Sequence, residues 1–260
     1  MRPGPAQLWP DVAPQWILSL PERLEDLCFD FYKSFIYDER YMMYVRGLGN
    51  TLLLTALALL MGIVLGVVVA LVRATWDKNG PEMHGLSKVF LKIANAICQV
   101  YITVIRGTPV LVQLMIWYFV IFASSRNGVA IAAFAFGINS GAYVAEIIRS
   151  GIMAVDPGQM EAGRSLGFGY VATMRHIILP QAFKAILPAL ANEFIVLLKE
   201  TSVASYVTVA DLTYAGNVIG GNSYDYLFPL LLTALIYLAL VMFFTYLVGK
   251  LERRLRNSER

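Results

Sequence analysis

The chain reads as an all-α integral membrane protein with about five transmembrane helices and a two-helix loop held outside the bilayer. Three observations predict this. Of the 260 residues, 58% are hydrophobic and 15% charged, with a mean hydropathy of +0.61, too apolar for a soluble domain. Two uncharged runs, 48–72 and 226–248, are each as long as the roughly 20 residues a spanning helix requires. Between them a short polar island, 161–167, stands outside the apolar pattern.

Residues 1–47 come first, with five prolines and the acidic residues Glu22, Glu25, Asp26, Asp30, Asp38 and Glu39. No basic start leads into a continuous apolar core, so the segment does not read as a cleavable signal peptide. Leu24, Leu27, Cys28, Phe31, Phe35 and Ile36 recur at helical spacing. The spacing predicts an amphipathic helix over 21–37, lying flat on the outer interface or packed on the bundle. The spans follow at 48–72, 93–123 (interrupted by Arg106), 128–148 (carrying Glu146), 185–198 (carrying Glu193) and 226–248. Together they make a membrane domain of 48–250, followed by a basic tail at 251–260.

Orientation comes from where the charges fall. Arg73, Lys78, Lys88 and Lys92 lie between spans one and two, Arg149, Arg164, Arg175 and Lys184 between three and four, and Lys250, Arg253, Arg254, Arg256 and Arg260 after five. The positive-inside rule makes these segments cytoplasmic. Residues 124–127 and 201–225 then lie outside, with Arg126 set against Asp211 and Asp225, and an odd span count puts the N-terminus outside and the C-terminus in the cytoplasm. A net charge of +3 is too small to suggest nucleic acid. Cys28 and Cys98 make no disulfide framework, His84 and His176 make no metal cluster, and no glycine-rich loop ends in Lys-Ser or Lys-Thr. The sequence therefore offers no cofactor site, and any nucleotide-driven movement requires another subunit to hold the nucleotide.

The island has the grammar of a compact knob over about 152–180. Asp156-Pro157 opens a helix with a capping carboxylate and a proline at its first position. Glu161 lies in the early turns, Ala162 and Gly163 are small enough for a second backbone to approach, and Gly167 is placed to stop the helix in the left-handed region. A second short helix is expected over 169–178, punctuated by Pro180. Met160, Leu166, Phe168, Val171 and Met174 are the apolar groups that could fill a partner's groove.

Glu161-Ala162-Gly163, three residues, Gly167, nine residues, then Ile177-x-Leu179-Pro180 resembles the E-A-A motif of ABC importer permeases, with glycine where alanine is commonest. Arg106-Gly107-Thr108-Pro109, then Leu111, Gln113 and Tyr118, resembles a segment of the polar amino acid permease group, the histidine, glutamine and arginine type. Gly49-Asn50-Thr51, the stretch from Ser140 through Tyr143 to Glu146 and Arg149, and the stretch from Asn192 through Lys199 to Thr201-Ser202 agree with it in order. The resemblance covers roughly 47–255. It implies the fold of a type I ABC importer permease in a bacterial inner membrane. It also implies two ATPase subunits carrying ATP and Mg, a second permease copy or a sister permease, an extracytoplasmic solute-binding protein and an amino acid as cargo. Glu161, Ala162, Gly163 and Gly167 would couple to the ATPase.

Ionisable groups inside a bilayer cost about 2.5–3.5 kcal/mol on insertion scales and tend to face cavities or partners. Glu146 could pair with Arg149 on its own helical face or line a cavity. Glu193, beside Asn192, could line a polar path or be packed. Arg106 and Pro109 imply a break in span two or a helix entrance. Past it, Gln113, with Asn139, Ser140 and Tyr143, offers neutral hydrogen bonds to an amino acid or to a neighbouring span. Lys199, Glu200, Thr201 and Ser202 close span four as a gate or as a snorkelling end. A self-contained, ion-coupled secondary transporter with Glu146 and Glu193 as ion sites is the competing class.

Overall fold

In a computed structural model, residues 4–80, 83–125 and 127–257 are described; Arg126, Arg260 and the Arg256 side chain of the charge pattern lie outside the described residues. Helices follow one another as α1 (Pro5–Val12), α2 (Gln15–Leu18), α3 (Glu22–Phe31), α4 (Tyr41–Asn79), α5 (Leu86–Gly107), α6 (Val110–Ile116), α7 (Gly128–Met153), α8 (Pro157–Ser165), α9 (Tyr170–Thr173), α10 (Leu179–Glu200), α11 (Leu212–Ser223) and α12 (Leu227–Asn257). Among the described residues, five helical runs are long and apolar enough to cross a membrane: Tyr41–Lys78, Leu86–Gly107, Gly128–Met153, Tyr170–Val207 and Leu227–Leu255. The chain forms two compact units, residues 1–52 with 202–240, and 53–201 with 241–260.

In the larger unit α7 is the central helix. Two thirds of its apolar stretch, 67%, is buried, against 6% for that of α5, so α5 is the span left facing lipid or partner chains. One core joins Ala70 and Ala74 of α4 to Val144, Ile148 and Ile152 of α7 and Ala182 and Ile186 of α10. A second packs Val69, Ile102, Ala142 and Ala145 between α4, α5 and α7. Small residues at these contacts let helix backbones approach closely, which replaces the hydrophobic drive that lipid removes.

Span two has the break that Arg106 and Pro109 imply. It ends at Gly107, and the remainder, Val110–Ile121, is a separate short apolar helix finishing in a π turn, Trp117–Ile121. Proline is the cause: Thr108 is extended (φ −123°, ψ 147°), as a residue before proline prefers, and Pro109 supplies no amide hydrogen. Span four differs from its sequence reading. Pro180 does not punctuate it, because it stands within the first two positions of α10, where no amide is needed, and a π turn over Met174–Ile178 carries α9 directly into α10.

The smaller unit holds the N-terminal helices, the first turns of α4, α11 and the start of α12. The amphipathic segment is helical over nearly all of 21–37: α3 (Glu22–Phe31) passes directly into a π turn (Tyr32–Ile36). Phe35 packs with Tyr44, Leu212, Ala215 and Ile219, whereas Leu24, Leu27, Phe31 and Ile36 remain exposed. The two alternatives for this segment thus divide between its residues. Lys33 Nζ bridges Asp30 (3.1 Å) and Asp225 (3.2 Å). Asn50 Nδ2 donates to Ala210 O (2.7 Å), and the Leu212 amide donates to Thr51 Oγ1 (3.1 Å).

Asp211 caps α11, its Oδ1 accepting the Tyr214 amide at 2.7 Å, and it is fully buried. Burial pushes its carboxyl up from 3.8 to about 7 against the hydrogen bonds that favour the ion. An acid whose native pKa is raised holds its proton in the fold when the unfolded chain has released it. Stability contributed here is therefore present at low pH and falls as pH rises from about 4 to about 7. Asn caps helices as well as Asp, so Asp211→Asn should flatten this slope and leave the purified protein with a higher melting temperature than wild type at about pH 8. Equal pH slopes for the two proteins would overturn that expectation.

Candidate functional site

The knob folds as its sequence dictates. Asp156 Oδ1 accepts the Gly158 amide at 2.7 Å, Pro157 takes the first helical position, and α8 ends in two reciprocal backbone bonds. Phe168 N donates to Gly163 O (3.1 Å) and Gly167 N to Arg164 O (2.9 Å), the Schellman arrangement, with Gly167 at φ +84°. Glu161 and Ala162 stand exposed on α8. Gly163 is buried because α9 and the π turn lie against it: a methyl built there would meet Thr173 Cγ2 at 2.5 Å and Ile177 Cδ1 at 3.1 Å.

The five apolar knob residues divide in two. Met160 and Met174 turn inward and pack, with Val155 and Ile177, on the α4–α7–α10 core, so they are not available to a partner as the sequence suggested. Leu166 (76% exposed), Phe168 (46%) and Val171 (75%) face outward. Three large apolar side chains on one short polar loop make a patch that favours a protein partner. Beside it lies a cavity of about 350 Å³ lined by Lys78, Met160, Glu161, Arg164 and Tyr170 among others. The knob is thus a rigid body whose inner face is part of the membrane core.

Thr173, which sequence reasoning missed, is the wall that requires Gly163. It is fully buried, and its Oγ1 donates to Gly169 O (3.1 Å). Gly163→Ala should cost about 1–3 kcal/mol by overpacking, more than the roughly 1 kcal/mol that alanine contributes in a helix. Thr173→Ser removes the clashing methyl, so the double variant should recover most of the lost melting temperature. Independent, additive effects of the two changes would refute the contact.

Within the bundle, Ser140 Oγ on α7 donates to Glu193 Oε1 on α10 at 3.0 Å, and both are buried. Asn192, next in sequence, is exposed, as is Lys199. Gln113 is engaged at the helix break. Its Nε2 donates to Ile105 O (2.7 Å), the carbonyl that would have accepted from residue 109 had that residue not been proline, and also to Thr108 O and Oγ1. Its Oε1 accepts from Asn139 Nδ2 at 3.2 Å. The Arg106 guanidinium stands 5.0 Å from the centre of the Tyr143 ring, a cation–π contact. Thr201 is buried, its Oγ1 donating to Leu198 O (2.9 Å) beside Thr55.

Glu146 pairs with Arg149 through two bonds (3.3 and 3.1 Å), and Arg149 Nη1 reaches Asp77 of α4 at 3.1 Å. The α4 partner was invisible in sequence, since only folding brings residue 77 beside 149. This clasp sits at the end of α7 that leads into the knob. Among the described residues no group of three His, Cys, Asp or Glu side chains could hold a metal ion.

Residues 85–257 match the family described as binding-protein-dependent transport system inner membrane component. The chain is 36% identical over 220 residues to the arginine transport system permease protein ArtQ of Bacillus subtilis, covering 83% of this chain and 93% of that one. It is 34% identical over 222 residues to a putative glutamine transport system permease protein GlnP of Rickettsia bellii, covering 84% and 95%. Among solved structures, an amino acid ABC transporter crystallised with histidines superposes with a TM-score of 0.73 at 42% identity, covering 82% of this chain and 94% of that chain. An inward-facing structure of the MetNI methionine ABC transporter, at 18% identity and TM-score 0.70, shares the fold.

Proposed function

The chain belongs to the family of binding-protein-dependent transport system inner membrane components, and from that premise we propose that it forms the translocation path of an ATP-driven importer of polar amino acids. It is the permease, a multi-pass inner membrane protein, and ATP hydrolysis belongs to a separate ATPase subunit. In this reading two ATPase copies bind ATP and Mg. The permease pairs with a second copy or a sister permease, and a solute-binding protein delivers cargo from the side on which the N-terminus lies, with the C-terminus in the cytoplasm. The observation that carries it is the knob: Leu166, Phe168 and Val171 face out while Met160 and Met174 anchor the same two helices in the core.

That construction explains coupling. A groove on the ATPase grips the outer face of α8 and α9, and closure of the ATPase pair displaces the knob. The knob is packed against α4, α7 and α10, so its displacement moves the helices that hold Ser140 and Glu193. Arg149, clasped to Glu146 and Asp77, ties α7 to α4 beside the point of force. In the path, the Glu193 carboxylate and Ser140 would receive an ammonium or a cationic side chain, with Asn192 and Tyr143 as neutral partners and Lys199 and Thr201 closing the end of span four.

Purification from native membranes in mild detergent tests the reading. Recovery of an ATP-hydrolysing subunit with the chain supports it. Recovery of the folded chain alone, together with transport in proteoliposomes under an ion gradient, would replace it with the ion-coupled transporter.

A further inference from the structure

The smaller unit contains a cavity of about 540 Å³, none of whose lining residues belongs to the proposed path. Eleven residues line it, from α1, α2, α3, the π turn that follows and the first turn of α12. Trp9, Ile17, Leu27, Phe31, Ile36 and Phe228 supply most of its character. Isolated exposed leucines are ordinary on a protein surface, but a concave pocket walled almost wholly by aliphatic and aromatic groups is not. Trp9 fixes the shape: its ring stands 5.5 Å from Phe29 and 5.3 Å from Tyr32, and its indole N–H donates to Glu25 Oε1 at 3.3 Å. Leu27, Phe31 and Ile36 keep between 41% and 49% of their surface exposed at the mouth.

We propose that this pocket holds one acyl chain of a membrane phospholipid. Continuity with the bilayer selects lipid. Phe228 stands in the first turn of a membrane span, in which Leu227 (71% exposed), Leu231 (49%), Leu235 (52%) and Leu238 (53%) run down one face of α12. The pocket therefore opens on the same surface that the hydrocarbon covers. Size agrees: at about 540 Å³ the pocket falls within the roughly 300–1,000 Å³ of small-ligand sites and has room for an acyl chain. A buried chain also explains why α1 and α2 fold here at all, since neither has a buried core residue of its own; the lipid completes their core.

The test is photolabelling of the assembled transporter in proteoliposomes with phosphatidylethanolamine carrying a diazirine near its acyl terminus, followed by mapping of adducts by mass spectrometry. Adducts within residues 9–36 are expected in wild type. They should fall severalfold in Ile17→Trp, which fills the pocket, while adducts on the spans stay constant and report an intact membrane domain. Wild-type adducts confined to the spans, or undiminished labelling in Ile17→Trp, would overturn the pocket. Labelling only by a free diazirine fatty acid would overturn the phospholipid as occupant.

Discussion

Gly167→Leu should abolish ATP-driven uptake at an unchanged level of protein in the membrane. Gly167 has φ +84°, and a side chain built on it meets nothing within 4 Å. The penalty is therefore conformational, about 1–2 kcal/mol for an L residue in the left-handed region, and it falls on the residue whose amide and whose neighbour's amide close α8. Leucine relieves the strain by opening the turn, which swings Phe168 and Val171 away from Leu166 and dissolves the docking patch. Uptake is expected to drop by about tenfold or more, with the ATPase lost from the purified complex or hydrolysing without transport. Gly167→Asn is the discriminating partner, since asparagine tolerates the left-handed region and should retain most activity. Uptake by the leucine variant at the wild-type rate would show that the turn transmits nothing.

Glu193→Gln should lose uptake of a cationic amino acid while leaving the fold intact. The substitution keeps the size of the side chain and the oxygen that accepts from Ser140 at 3.0 Å, so the melting temperature should barely change. What disappears is the negative charge, buried at 7% exposure. A site that meets a cation with a desolvated carboxylate loses about 2–5 kcal/mol or more when one partner is truncated, and even the lower figure is more than a tenfold loss in uptake at limiting substrate. A neutral amino acid such as glutamine presents only its ammonium and should be affected less. Competition uptake of arginine and glutamine in the same vesicles measures the difference. Arginine transport at the wild-type rate would remove Glu193 from substrate recognition.

The number and order of the spans were legible because hydropathy reports the bilayer. Their ends were not, since hydropathy does not report the helix. The run at 48–72 is the apolar centre of a helix that extends from Tyr41 to Asn79; its polar ends continue the same hydrogen-bonded ladder outside the hydrocarbon. Cap chemistry was legible wherever it is local, as at Asp156, Pro157 and Gly167. Proline carried two meanings that local reading could not separate: Pro109 breaks a helix, whereas Pro180 follows a π turn inside a continuous helical run. Everything that depends on a second helix was hidden. Thr173 against Gly163, Asp77 beside Arg149, Gln113 standing in for a missing amide, and the inward turn of Met160 and Met174 are all products of packing. Helix α11 escaped notice because its glycines and short length hide it, although Asp211 stands at its start as a cap.

The burial of α7 has a consequence for how the protein is made. The span that ends most enclosed is not the most apolar; its hydropathy of 1.5 is well below the 2.9 of the first span, because Asn139, Ser140 and several glycines lie along it. Ser140 and its partner Glu193 are 53 residues apart. At about 5–20 residues per second, synthesis brings the second to the first only after about 3–10 s. For that interval Ser140 alone of these groups lacks its partner, since Gln113 already stands ready for Asn139 and Asp77 and Glu146 for Arg149. One buried pair, Ser140 with Glu193, therefore makes the third span's last polar contact depend on the arrival of the fourth.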